Sequence, residues 1–156
     1  MKIQGHTFLV SGGASGLGQA CVKRLVSQGG QVIIADLNAQ LGDKLAQECG
    51  KQAQFITTNV ADEASVSQAV DLAWSEFGGL HGAISCAGVG FPEKTVNKEG
   101  EAHSLKNFMK TIEVNLVGSF NVCRISASSM VKRNPQVQGE RGVLINTASV
   151  AAFEGQ

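Results

Sequence analysis

The sequence predicts an α/β protein, an open, doubly wound parallel sheet of five strands in the order 3-2-1-4-5. Three observations predict it. Short apolar runs alternate with stretches of helical periodicity along the whole chain. The central strand candidates are continuous apolar runs, which suits strands buried on both faces. A glycine-rich segment joins the first strand candidate directly to the first helix candidate.

The first strand is Thr7 to Val10, running into Ser11-Gly12-Gly13-Ala14-Ser15-Gly16-Leu17-Gly18. In the helix that follows, Leu17, Ala20, Cys21 and Leu25 fall on one face, and Gly29-Gly30 stops it. Gln31 to Ala35 is the second strand, ending at Asp36. Leu41, Leu45 and Cys49 step by four through a second helix, and Gln54 to Val60 reads as the third strand. Asp62 caps a third helix in which Val66, Ala69, Val70, Ala73, Trp74 and Phe77 keep helical spacing up to Gly78-Gly79. The fourth strand is Gly82 to Cys86, followed by Ala87-Gly88. Residues 89–103 are polar and irregular, too long for a simple connector, and such loops often bind or cover ligands. Ser104 caps a long fourth helix, to residue 131, with Leu105, Phe108, Met109, Ile112, Leu116, Phe120, Cys123 and Ala127 in one stripe. Lys132 and Arg133 suit its carboxyl end. Gly142 to Ala148 is the fifth strand.

Length and composition bound the rest. A chain of 156 residues, 43% hydrophobic and 17% charged, is one folded domain spanning 1–156. Thirteen basic residues balance thirteen acidic ones with no basic cluster, which argues against a nucleic-acid or anionic-membrane binder. No apolar run is long enough to span a membrane, and no signal-peptide pattern opens the chain. Cys21, Cys49, Cys86 and Cys123 are far apart and form no C-x-x-C. That spacing argues against metal or redox-pair chemistry and for reduced thiols in a cytoplasmic compartment. His6, His81 and His103 are equally scattered, as surface or strand-end residues rather than ligands.

The chemistry gathers at strand ends. Gly12, Gly16 and Gly18 are spaced G-x3-G-x-G between a strand and a helix. Glycine permits the tight turn and a close backbone approach to a pyrophosphate, and the helix start supplies amides and positive potential. Asp36, 18 residues after Gly18, ends the next strand, where a carboxylate accepts from both ribose hydroxyls and repels a 2′-phosphate. The expected cofactor is therefore NAD rather than NADP. Asn59 and Val60 end the third strand, suited to an adenine amino group and ring. Ser85-Cys86-Ala87-Gly88 ends the fourth with side chains small enough to let a cofactor lie against the backbone. Asn115, with Gly118 close behind, is poor helix chemistry inside a strong helix, which marks a functional exception. Ser149 places a hydroxyl at the carboxyl edge of the fifth strand.

These segments, in this order, resemble the short-chain dehydrogenase/reductase family along the whole chain. The resemblance implies a dinucleotide-binding Rossmann domain, with NAD as cofactor and a small-molecule substrate. It implies contacts from Ser11, Gly12, Ser15, Gly16, Leu17 and Gly18 to the pyrophosphate region, and from Asp36 to the adenosine ribose. Asn59 and Val60 would meet the adenine, and Cys86, Ala87 and Gly88 the neighbouring ribose. Ser149 would hydrogen-bond the substrate oxygen, and Asn115 would hold a water in a proton relay. Ser11, Asn59 and Cys86 stand where the family usually has Thr, Asp and Asn. Ser11–Gly18, Val114–Val122, Gly142–Gln156 and the 94–105 insertion are similar to a subgroup that interconverts 3-hydroxyacyl-CoA and 3-oxoacyl-CoA in fatty-acid oxidation. Hydroxysteroid or other secondary-alcohol oxidation, and NAD binding without chemistry, are the alternatives.

The family's acid/base catalyst is a tyrosine in a Y-x-x-x-K motif on the helix after strand five. This chain holds no tyrosine and ends at Gln156. The resemblance therefore implies a domain truncated after strand five, with that strand at the sheet edge and the long helix's stripe partly uncovered. The chain alone is expected to be inactive, and the complete protein to pair through the long helix as a homo-oligomer.

Overall fold

A computed structural model describes residues 1–135 and 139–154. The strands are β1 (Thr7–Ser11), β2 (Gln31–Asp36), β3 (Ala53–Thr57), β4 (Gly82–Ser85) and β5 (Val143–Asn146). All pair in parallel, in the order β3-β2-β1-β4-β5. The predicted order therefore holds, and the direction of winding reverses between β1 and β4. The helices are α1 (Gly16–Ser27), α2 (Ala39–Cys49), α3 (Glu63–Phe77), α4 (Leu105–Thr111), α5 (Ser119–Met130) and the one-turn α6 (Ala151–Glu154).

Side-chain alternation along the strands builds two cores, one on each face. Phe8, Val10, Val32, Ile34 and Ile84 point toward α1 and α2, where Val22, Leu25 and Leu45 meet them. Leu9, Ile33, Ala35 and Ala83 point the other way, onto Val66, Ala69, Val70 and Ala73 of α3 and Val122 and Met130 of α5. Both faces of β1 and β2 are thus buried, as their unbroken apolar runs require.

Several boundaries differ from the sequence expectation. β3 stops at Thr57, three residues before Val60. The Thr58 N–H still reaches the Asp36 carbonyl, but the Asn59 N–H turns to Ser65 Oγ and Asn59 Oδ1 accepts from Ala61 N–H. A side chain able to cap backbone groups locally wins over the ladder. The strands at Gly82 and Gly142 are likewise shorter at their ends. On α1 the buried face is Gly18, Val22 and Leu25, whereas Leu17 is 69% exposed. The apolar count alone placed Leu17 inward, because it could not see that the helix starts beside an open cavity.

The long fourth helix is continuous but not uniformly α. Between α4 and α5, Ile112–Gly118 form a π segment that contains Asn115. Its inward face is Val114, Gly118, Asn121 and Val122, and the predicted stripe of Leu105, Phe108, Met109, Leu116 and Phe120 lies exposed. Residues 89–103 are also more ordered than expected. Thr95 accepts from His103 N–H, Val96 bridges Ala102, and Asn97 Oδ1 accepts from the N–H groups of Glu99 and Glu101. This small hairpin is tied to α4 by Glu93, whose carboxylate accepts from Ser104 N–H and Asn107 Nδ2. Those bonds, with His103 beside them, hold the Glu93 carboxyl below the usual glutamate range.

Candidate dinucleotide site

At the β1/β4 reversal the carboxyl ends of the strands open onto a cavity of about 450 Å³. Its floor is the glycine loop. Gly12 has φ +64°, and a Cβ there would stand 2.6 Å from Ala87 N. A Cβ on Gly18 would stand 2.0 Å from the Gly12 carbonyl oxygen. The loop, the first turn of α1 and the end of β4 therefore touch backbone to backbone, a cradle that any side chain at Gly12 or Gly18 would fill. Ser15 is the N-cap of α1, yet its side chain makes no capping bond, so its hydroxyl and the first-turn amides face outward.

Asp36 closes one side. Its Oδ2 accepts from Ala14 N–H and its Oδ1 from Asn38 N–H, both at 3.0 Å. The carboxylate is thereby locked in orientation against the glycine loop. A carboxylate accepts about four hydrogen bonds, so it keeps capacity for incoming hydroxyls.

Of the predicted cofactor residues, Gly12, Ser15, Gly16, Leu17, Gly18, Asp36, Asn59, Val60, Cys86, Ala87 and Gly88 all line this cavity. Ser11 does not. It is buried one residue below, and its hydroxyl has no hydrogen-bond partner. Leu37, Thr58, Val89, Lys110 and Val114 also line the cavity and were missed. Leu37 and Thr58 adjoin recognised residues, and adjacency was the available signal. Lys110 and Val114 arrive from the long helix by packing alone, which no spacing rule reports.

Asn115 lies beside the cavity. Its Oδ1 accepts from Val89 N–H at 2.9 Å and its Nδ2 donates to the Val89 carbonyl at 2.8 Å. This two-way clamp fixes the chain just after β4, and each amide group keeps one further hydrogen-bonding site. The adjoining Gly118 packs where a Cβ would meet Val60 Cγ2 at 2.5 Å. Asn115 and Gly118 thus tie the π segment to two walls of the same cavity, in keeping with the tendency of π-bulges to occur at functional sites. Ser149 follows β5, exposed at the carboxyl edge, and its Oγ accepts from Ala151 N–H at the start of α6. The preceding Thr147 donates from Oγ1 to Cys86 Sγ at 3.7 Å, which links the β5 end to the cavity wall.

The family model described as short chain dehydrogenase matches residues 6–156. The chain belongs to the short-chain dehydrogenase family. It is 45% identical over 156 residues to a 3-hydroxyacyl-CoA dehydrogenase type-2 from Bos taurus, covering 99% of this chain and 60% of that protein. The crystal structure of a 3-hydroxyacyl-CoA dehydrogenase type-2 from Mycobacterium avium superposes with a TM-score of 0.92 at 43% identity, over 97% of this chain and 59% of that one. A 3-ketoacyl-(acyl-carrier-protein) reductase from Brucella melitensis, complexed with NADH, superposes with a TM-score of 0.88 at 26% identity, over 99% of this chain and 62% of that one. The chain therefore spans about 60% of the length of the curated relatives it matches. No helix among the described residues is long and apolar enough to cross a membrane.

Proposed function

We propose that this cavity holds NAD and that the chain serves an oxidoreductase interconverting 3-hydroxyacyl-CoA and 3-oxoacyl-CoA. The observation that carries the reading is the joining of the Gly12–Gly18 cradle and the locked Asp36 carboxylate in one cavity at the strand-order reversal. The glycine turn gives a pyrophosphate room to lie against backbone amides, and Asp36 receives ribose hydroxyls while its charge repels a 2′-phosphate. Val60 and Val114 offer apolar surface to the adenine. Cys86 to Gly88, held by the Asn115 clamp on Val89, form the wall toward the second ribose. When bound, the nicotinamide ring accepts or returns a hydride at its C4.

In this reading Ser149 hydrogen-bonds the substrate oxygen and Asn115 orders the chain, and a water, beside the reacting centre. Proton transfer is a separate requirement. The sequence has no tyrosine, and a serine hydroxyl is far too weak an acid to replace a phenol poised near neutrality. The 156-residue chain is therefore expected to bind NAD without turnover. Assay of acetoacetyl-CoA with NADH checks this, and measurable oxidation of NADH would remove the argument from the missing phenol. The acyl-CoA assignment draws support from the Bos taurus relative. A hydroxysteroid substrate is the second reading, favoured by 31% identity to a 3-alpha-(or 20-beta)-hydroxysteroid dehydrogenase from Mycobacterium bovis.

Calorimetric titration tests the cofactor. NAD is expected to bind at least tenfold more tightly than NADP, and Asp36→Ala to lose at least tenfold in NAD affinity, about 1.4 kcal/mol. An unchanged affinity in that variant would reject the ribose assignment. The reading also includes a reducing, cytoplasmic setting, supported by four free cysteines, and a homo-oligomer formed through the long helix.

A further inference from the structure

Asn121 lies in the first turn of α5 and is only 4% exposed. A carboxamide in such surroundings needs partners at both of its polar ends. Asn121 has one. Its Nδ2 donates to the Val60 carbonyl at 2.8 Å, across 61 residues of sequence, and its Oδ1 has no partner among the described residues. The orientation is forced, since the reverse would set oxygen against oxygen. Asparagine is also a poor helix former, and an apolar side chain here would bury no unpaired acceptor. The bond to Val60 is therefore what this amide contributes.

The turn it reaches is otherwise held by its own neighbours. Asn59 N–H donates to Ser65 Oγ, Ala61 N–H to Asn59 Oδ1, Asp62 N–H to the Asn59 carbonyl and Ser65 N–H to Asp62 Oδ1. Thr58 N–H ties its start to the Asp36 carbonyl. Among the described residues, Asn121 supplies the hydrogen bond that fastens residues 59–61 to the long helix. On the same helix, a Cβ at Gly118 would stand 2.5 Å from Val60 Cγ2, so the Val60 side chain already lies hard against the helix backbone. That contact limits closer approach, and the Asn121 bond limits withdrawal. Asn59 and Val60 line the dinucleotide cavity, whereas Asn121 stands behind them.

We propose that Asn121 is a positioning residue for the purine end of the cavity. By holding the Val60 carbonyl it fixes Asn59 and Val60 where a 6-amino purine is told from a 6-oxo purine. Asn59 Oδ1 accepts from Ala61 N–H, and an amide oxygen has two lone pairs, so one remains for the amino group of an adenine. A 6-oxo purine presents a carbonyl at that place, and two acceptors then face each other. The distinction lasts only while the turn stays in position, because a hydrogen bond weakens steeply as its angle and distance depart from ideal. Asn121 acts through Val60 and touches neither ring nor sugar. This role rests on the reading of the cavity as a dinucleotide site with adenine at Asn59 and Val60.

Calorimetric titration of the full chain with NAD and with its hypoxanthine analogue, which carries an oxygen in place of the amino group, tests this. The unaltered chain is expected to prefer NAD by roughly three- to tenfold, the range that one hydrogen bond supplies. Asn121→Leu and Asn121→Ala both remove the donor, the first keeping the volume and burying no unpaired acceptor of its own. Each should bring the two affinities to within about twofold of one another, chiefly by weakening NAD. Damage to the fold at large would instead weaken both nucleotides together and leave their ratio. Ser126→Ala, which removes another fully buried oxygen of α5 that has no hydrogen-bond partner, should keep the whole preference. A preference retained in both Asn121 variants, or an equal fall for both nucleotides, would overturn the proposal and leave the cavity assignment standing. An unaltered chain that binds the two nucleotides alike, or binds neither, would overturn the adenine reading itself and the proposal with it.

Discussion

Gly12 combines a positive φ with a site where a methyl group would stand 2.6 Å from Ala87 N, and the obstacle is the Ala87 backbone rather than a side chain that could move. Gly12→Ala is therefore expected to cost at least about 2 kcal/mol and to abolish NAD binding. Thermal denaturation with parallel titration checks both, and retained binding would show that the cradle can spread. His81 gives a prediction of another kind. It is buried at the start of β4, where Nδ1 accepts from Thr7 N–H and so requires the neutral ring. Burial first, then Arg133 and His6, lower its pKa from 6.5 to about 4. Between those values the unfolded chain takes up a proton that the folded chain refuses, so stability falls as pH falls through that window, by roughly 1–3 kcal/mol. Urea midpoints should drop between pH about 7.5 and 4.5, and His81→Gln should flatten the drop. At this scale the sequence was most legible where chemistry forces one residue type. Gly12, Gly18 and Asp36 stood out because glycine and a carboxylate at those spacings have few other reasons to be there. Lys110 and Val114 did not, since one reads as an ordinary charged residue and the other as core.

The element that departs most from expectation is the long helix. Asn115 was recognised as misplaced in an α-helix, and the structure supplies the reason: it sits in a π segment whose re-phased turn aims it at Val89 and brings Gly118 against Val60. Periodicity assumes a constant rise and rotation, so it cannot register an added residue in one turn. The same assumption extended the third strand to Val60, past Asn59, whose carboxamide caps the next turn instead. Asn115→Ala removes both bonds to Val89 and is expected to cost about 1 kcal/mol in stability. Its larger effect should be local, with faster hydrogen exchange across 87–91 and weaker NAD binding. Asn115→Asp, which keeps the acceptor and loses the donor, should fall between. Unchanged exchange in the alanine variant would mean that other contacts hold the segment.

Viewed whole, the molecule has one closed side and one open side. β2 and β1 are buried on both faces, whereas β5 is an edge strand whose Leu144 and Ile145 are exposed. The stripe of the long helix is uncovered as well, with Leu116 and Phe120 each more than 60% exposed. Exposed apolar surface of this kind drives association. The 156-residue chain is expected to self-associate, and Phe120→Glu, which disturbs no core contact, should shift its sedimentation toward the monomer. Equal sedimentation of both forms would reject this face as the contact. The fold class was legible at this scale because strand order follows from alternation and crossover rules, and both act over the whole chain. The open side was legible only through the family resemblance, as apolar periodicity reports that a face wants cover and not whether it has it.

The hairpin at 95–103 carries a different kind of consequence. Its rungs are internal and its anchor is the Glu93 carboxylate on Ser104 and Asn107, so among the described residues its tip at Lys98–Gly100 makes no hydrogen bond to the sheet or the cavity. Lengthening such a tip costs only about 0.6 kcal/mol per doubling. The tip is thus a graft point, a place where a reporter dye or an affinity peptide can be spliced in while the scaffold beneath keeps its register.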